Sequence, residues 1–277
     1  MSSAVRSLAS PIAPLALVLL AASPAAVAIE PLDTFSARIG GYISTFDTRV
    51  RADGETTAGT EFDLDRDLDM DPDSTIAMVG VTWRPFEHHE FSLSYRQDDK
   101  DATTRLQRDI IFDDTVYPTS ATVRSDFSVD TYEASYVWWA ASNENWALGP
   151  RLGVVWYSMD LRLELELDAD GNPTIGTVSN EVSADLPEPT IGGSWRWTPA
   201  EQWRVSADAG YFSADVGDVD GDVFFGRAGV EWYPWESFGF WLDYTVSDID
   251  VDIDKTRYQG DFVFRDSGVR LGVAYRF

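Results

Sequence analysis

Cysteine is absent from the 277 residues. That excludes disulfides, thiolate metal centres and cysteine nucleophiles. Positive charge is scarce: 21 Lys and Arg stand against 47 Asp and Glu, a formal net charge of −26. Nucleic-acid binders need basic stripes, so no nucleic-acid partner is expected. Histidine occurs only at His88 and His89. Helical caps and i, i+3, i+4 apolar spacings are few. Beyond residue 28 no run of about 18 apolar residues exists, so no transmembrane helix is expected. Phosphate loops and dinucleotide fingerprints are missing too, and no cofactor is expected.

Aromatics are plentiful, at 13% with 11 Trp and 11 Tyr. Acidic disordered chains are poor in them, so this chain is built to fold. Residues 1–28 read as a signal peptide: Arg6 in a positive n-region, the short apolar stretch PIAPLALVLLAA (11–22), and the A-x-A site AVA (26–28). The mature domain is then 29–277, exported from the cytoplasm.

Period-two alternation dominates from residue 34, as in FSLSYR, TYEASYVWW, FGFWLDYTV and VRLGVAYRF. The mature chain therefore reads as all-β. Four segments run aromatic, short polar turn, aromatic: 82–91, 137–146, 196–203 and 231–238. Between them lie longer acidic stretches, three with Asp-Gly, a strong hairpin signal. Short turns at one end, long polar connections at the other and aromatics bordering the turns describe a transmembrane antiparallel up-and-down β-barrel. Four short turns imply ten strands, near 34–51, 62–84, 90–106, 122–140, 145–168, 185–198, 202–216, 222–233, 237–254 and 260–277. Residues 108–123 leave room for another hairpin, so eight or twelve strands stay open.

The chain ends on LGVAYRF. A terminus in strict alternation frays unless something pairs it. Arg270, Gly272, Tyr275 and Phe277 resemble the C-terminal assembly signal of bacterial outer-membrane β-barrel proteins. The resemblance implies a Gram-negative outer membrane and recognition by the barrel-assembly machinery during biogenesis. It implies no particular activity, since that superfamily holds porins, enzymes, adhesins and structural proteins.

Parity assigns the faces. Near the short turns Leu148, Leu152, Val154 and Trp156 face lipid, as do Phe240, Leu242, Leu271 and Val273. The opposite face sends Arg38, Arg84, Arg96, Glu133, Arg151, Arg196, Arg204, Asp208, Arg227, Glu231, Asp243 and Arg270 into the lumen. These charges read either as an ion-pair network filling a narrow barrel or as a charged pore. Farther along the same register the stripe changes sides. Asp160, Arg162, Glu164 and Asp248 point outward there. Leu64, Leu68, Phe127, Val129, Leu161, Leu163, Leu165, Ile249, Val251, Ile253, Phe262 and Phe264 point inward. About ten residues cross the hydrocarbon, so beyond it charge belongs outside. The strands should extend on the extracellular side as an acidic skirt around an apolar interior, either a packed core or a cup for a small apolar ligand.

Catalytic signals are weak. Outer-membrane proteases and hydrolases would place a His near the outer leaflet, whereas His88 and His89 sit in a short turn. No catalytic residue is assigned. The run FDLDRDLDMDPD fails the EF-hand spacing at Leu68 and Ser74, and no metal is assigned. The expected role is non-enzymatic: envelope structure or surface interaction, with binding or passage of a small apolar solute. The alternative is a surface enzyme hydrolysing lipid or peptide with carboxylates. Expected partners are outer-membrane lipid and lipopolysaccharide.

Overall fold

The computed structural model describes residues 29–51, 57–167, 170–172, 179–216, 219–255 and 258–277, without the side chains of 167, 186, 214–220 and 251–262. Ten antiparallel strands close a ring: β1 (Phe35–Val50), β2 (Asp73–Phe86), β3 (His89–Arg105), β4 (Thr122–Trp138), β5 (Trp146–Leu167), β6 (Ser179–Ala200), β7 (Trp203–Val216), β8 (Val219–Trp232), β9 (Phe238–Lys255) and β10 (Tyr258–Arg276). Each strand pairs with its sequence neighbours, and β10 pairs with β1 from Ser36 opposite Arg276 to Val50 opposite Phe262. Among the described residues no helix is long and apolar enough to cross a membrane. The count of ten settles the choice among eight, ten and twelve.

Closure holds the C-terminus. The N–H of Phe277 donates to the carbonyl of Phe35 at 3.0 Å, and that of Phe35 to the carbonyl of Phe277 at 2.9 Å. The two rings stack with centroids 5.2 Å apart. The four aromatic-bordered turns lie at this same terminus end, and Trp83, Trp138, Trp203, Trp232 and Tyr275 ring its outer surface, all exposed.

Residues 108–123 do form a hairpin, Ile110–Phe112 with Thr115–Tyr117, but as a separate two-stranded sheet outside the ring. The second strand is shorter than 62–84. Only Phe62 and Asp63 are extended, Leu64–Leu68 is a short helix, and β2 starts at Asp73. Leu64 and Leu68 are four apart, so strand and helix both place them on one face. Asp69, at φ 55, ends the helix. The strand expected near 62–84 is thus interrupted between Asp63 and Asp73.

Two ladders stop early. β2 pairs with β3 only from Phe86 opposite His89 to Met78 opposite Arg96. β6 pairs with β7 only from Ala200 opposite Trp203 to Ile191 opposite Tyr211. All four strands continue past these points. Toward the far end the ring thus divides into β3–β6 and β7–β10 with β1 and β2. Tyr211 lies exposed beside one of the two ends, and Tyr95 half-buried beside the other. In hydrocarbon an unpaired backbone group costs several kcal/mol, so a sheet splits only where water can reach it. The two halves enclose an apolar core that includes Phe46, Phe127, Met159, Leu163, Ile249 and Phe264. Leu64, Leu68, Ile110 and Phe112 close it from the far end, all fully buried.

Candidate functional site

The candidate site is the barrel interior, polar below and apolar above. Residues 29–34 enter the terminus-end mouth. Ile29 and Leu32 are buried, and the Ile29 N–H donates to the carbonyl of Glu201 at 2.9 Å. Asp33 accepts from Arg204 Nη1 and Nη2 at 2.7 and 2.8 Å and from Arg276 Nη1 at 3.1 Å. Arg204 also reaches Glu231 at 3.1 Å, and Arg38 pairs with Glu231 from the other side. Arg84 stays at the rim, donating to the carbonyls of Asp33 and Glu87 at 3.1 and 2.9 Å.

One level up, Arg196 makes a two-pronged pair with Glu90 at 2.9 and 2.8 Å. Glu133 accepts from Arg151 at 3.0 Å and Arg227 at 2.8 Å. Arg270 donates to both oxygens of Asp243 at 2.6 and 2.9 Å. Asp208 stands opposite Arg227 in the β7–β8 register. The space left among these groups is about 80 Å³, room for a few waters. Higher still, Arg96 donates to Asp266 at 3.0 Å and the Tyr42 hydroxyl to the same carboxylate at 2.7 Å. The twelve charges named from parity all occur on this inner face or its rim. Asp33, Glu90, Glu188, Asp266 and Arg276 join them. Parity in β3, β6 and β10 carries the signal for the last four, whereas Asp33 precedes any strand.

Leu64, Leu68, Phe127, Val129, Leu161, Leu163, Ile249 and Phe264 are buried in the apolar core, and Leu165 packs against it half-buried. The side chains of Val251, Ile253 and Phe262 lie outside the described residues. The core is filled: the cavity at its base, between Tyr42, Arg96, Phe127 and Phe264, is about 30 Å³. The Tyr117 hydroxyl donates to the carbonyl of Leu163 at 3.0 Å, and burial pushes its pKa up to about 12. Arg108 holds the short helix through Asp67 at 2.9 and 2.6 Å, and these bonds keep the Asp67 carboxyl below its usual pKa.

Gly272, from the terminal signal, faces Gly40 across the β1–β10 seam. A Cβ on Gly272 would fall 2.2 Å from the carbonyl oxygen of Ile39, and one on Gly40 2.8 Å from the Trp241 ring. The Trp241 indole donates to the carbonyl of Val273 at 3.1 Å. The two glycines thus form a shelf for the indole inside the seam. Tyr275 and Phe277 face outward, exposed.

His88 is exposed in its turn, and His89 Nδ1 lies 2.7 Å from the Tyr136 hydroxyl. Carboxylate oxygens of Asp47, Asp63 and Asp65 lie within 4.8 Å of one another. Arg66 meets Asp63 at 2.7 Å, so this cluster is partly neutralised by its own arginine.

Among solved structures the chain is similar to the outer membrane protease OmpT of Escherichia coli, at 10% identity and a TM-score of 0.57, over 89% of this chain and 97% of that one. The fold is that of a bacterial outer-membrane β-barrel. Weaker overlaps are found with the Pseudomonas putida toluene transporter TodX (8% identity, 91% and 94% covered, TM-score 0.39) and with Neisserial surface protein A (10%, 88% and 97%, 0.29). At those scores neither carries an argument. No family model matches the sequence, and no curated protein does.

Proposed function

We propose that this outer-membrane barrel is a closed, non-conducting element of the envelope, with a structural or surface-interaction role and no catalytic activity. The reading places the terminus end in the periplasm and the acidic far end outside the cell. It takes residues 1–28 as the export signal, Arg270, Gly272, Tyr275 and Phe277 as the signal for the assembly machinery, and lipid and lipopolysaccharide as the surroundings. One observation carries it: successive tiers of ion pairs and a filled apolar core occupy the interior from end to end. Glu133 between Arg151 and Arg227, and Asp243 against Arg270, leave only water-sized space.

Binding of a small apolar solute in the upper core requires its cap to move, because the space there is a single water's. The hydrolase reading gains nothing from likeness to a protease at 10% identity. The inner surface at the far end is apolar, and both histidines lie at the other end.

Planar-bilayer recording tests the closed lumen. Purified protein should give no steady open current, and a large constant conductance would overturn the proposal. Replacing both His88 and His89 should leave assembly and surface role intact. A hydrolytic activity lost with that double change would overturn the non-enzymatic reading.

A further inference from the structure

The β6–β7 seam has a cause written in the chain. The Thr198 N–H donates to the carbonyl of Asn145, on the β5 side. Backbone groups alternate along a strand, so even residues of β6 serve β5 and odd residues face β7. Pro187 and Pro189 are odd and carry no N–H. They follow immediately beyond Ile191 opposite Tyr211, where the ladder to β7 stops. The β5 ladder continues past both prolines without interruption.

Glu188 lies between those prolines and points inward. It is 2% exposed. Its Oε1 accepts from the Ser247 hydroxyl at 3.1 Å, while Oε2 has no hydrogen-bond partner. A buried carboxylate oxygen without a donor is costly. Every other inward carboxylate described above, Asp208 aside, has an arginine within 3.1 Å or paired directly. Val182 and Phe212, on the two sides of the seam, pack against the apolar core. On the outer wall nearby Asp185 and Asp222 are exposed with no arginine paired to them among the described residues, whereas Glu181 pairs with Arg162 and Asp248 with Arg265. The two acids without an arginine draw cations to the seam.

We propose that the β6–β7 seam is a side entrance at the outer boundary of the membrane, leading to a binding site at Glu188 for a small cationic amphiphile. The ammonium group meets the free carboxylate oxygen, and the alkyl chain lies between the two strand edges against Val182 and Phe212. The site goes beyond the closed-lumen reading and does not require the lumen to conduct.

The test uses the exported protein in phosphocholine nanodiscs, titrated calorimetrically with n-decylammonium, n-decanol and n-decanoate. Decylammonium should saturate one site, bind at least tenfold tighter than to Glu188→Gln, and outcompete decanol; decanoate should not bind. The double change Pro187→Thr with Pro189→Thr restores two donors facing β7, and should slow decylammonium association at least tenfold with Glu188 intact. Equal affinity for wild type and Glu188→Gln overturns the site, and an unchanged association rate in the threonine variant overturns the entrance. If Glu188→Gln fails to fold, the wild type decides alone. Saturable binding of the ammonium but not the carboxylate supports the site, and equal partitioning of both overturns it.

Discussion

Arg204 and Asp33 lie 171 positions apart and form a two-pronged pair at 2.7 and 2.8 Å, with Arg204 1% exposed. The pair ties the segment before β1 to β7 and seals the terminus-end mouth. Removing Asp33 leaves Arg204 to share Glu231 with Arg38, and leaving a buried charge underpaired costs up to ~3–5 kcal/mol. Asp33→Ala should therefore lower barrel stability by up to that amount, measured by urea unfolding in detergent. A loss below about 1 kcal/mol, the level of an exposed pair, would show that water reaches Arg204.

The glycine shelf predicts a closure defect. Gly272→Val puts a branched side chain against the carbonyl of Ile39, where even a Cβ would come within 2.2 Å. The β1–β10 seam should fail to zip, and the protein should lose the heat-modifiable gel mobility of a closed barrel. Gly193→Ala, whose added Cβ would approach the carbonyl of Gly149 no closer than 3.7 Å, should assemble normally. If both behave alike, space at the seam is not what Gly272 provides.

The reversal of faces along β5 predicts opposite tolerances within one strand. Leu152 is 53% exposed on the outer band, and Leu163, with the same residue type eleven positions on, is 1% exposed inside. Leu152→Arg should cost ~2–4 kcal/mol if that face meets lipid near the midplane. Leu163→Ala should cost ~2–5 kcal/mol by leaving a cavity. Arg162→Gln, on the outer wall beside Leu163, should change stability by less than about 1 kcal/mol. Unfolding free energies in lipid vesicles check all three, and a neutral Leu152→Arg would remove lipid from that surface.

The far-end cap should resist mild acid. Hydrogen bonds from Arg108 hold the Asp67 carboxyl below its ordinary value, which is about 3.9. A group with a depressed folded pKa stabilises fully above its unfolded value and loses that contribution as pH falls through the folded one. Normalised hydrogen-exchange protection of residues 62–70 should stay constant from pH 7 to 5 and fall only below about pH 4. In Asp67→Asn that fall should be absent. Loss of protection already between pH 7 and 5 would mean another group governs the cap.

The ring of ten strands was legible because alternation and turn chemistry are local. Trp83, Trp203 and Trp232 mark turns wherever the strands go, and Leu148 and Leu163 differ in parity before any contact forms. Leu64 and Leu68 misled for the same reason: a spacing of four suits both periods, and the helix was chosen by packing under Ile110 and Phe112. The hairpin 110–117 was visible, but its place outside the ring was not.

The amino-acid order alone determined which residues alternate and where the chain turns, because each depends on neighbours a few positions away. Tertiary structure alone decided that Glu133 serves two arginines, that Asp33 belongs to Arg204 and that Glu188 keeps a free oxygen. Those partners sit on strands far apart in sequence, and only the stagger of the closed ring sets which side chains share a level. The split beside Pro187 and Pro189 lies between: the missing donors are written in the chain, but which neighbouring strand loses them follows from the register.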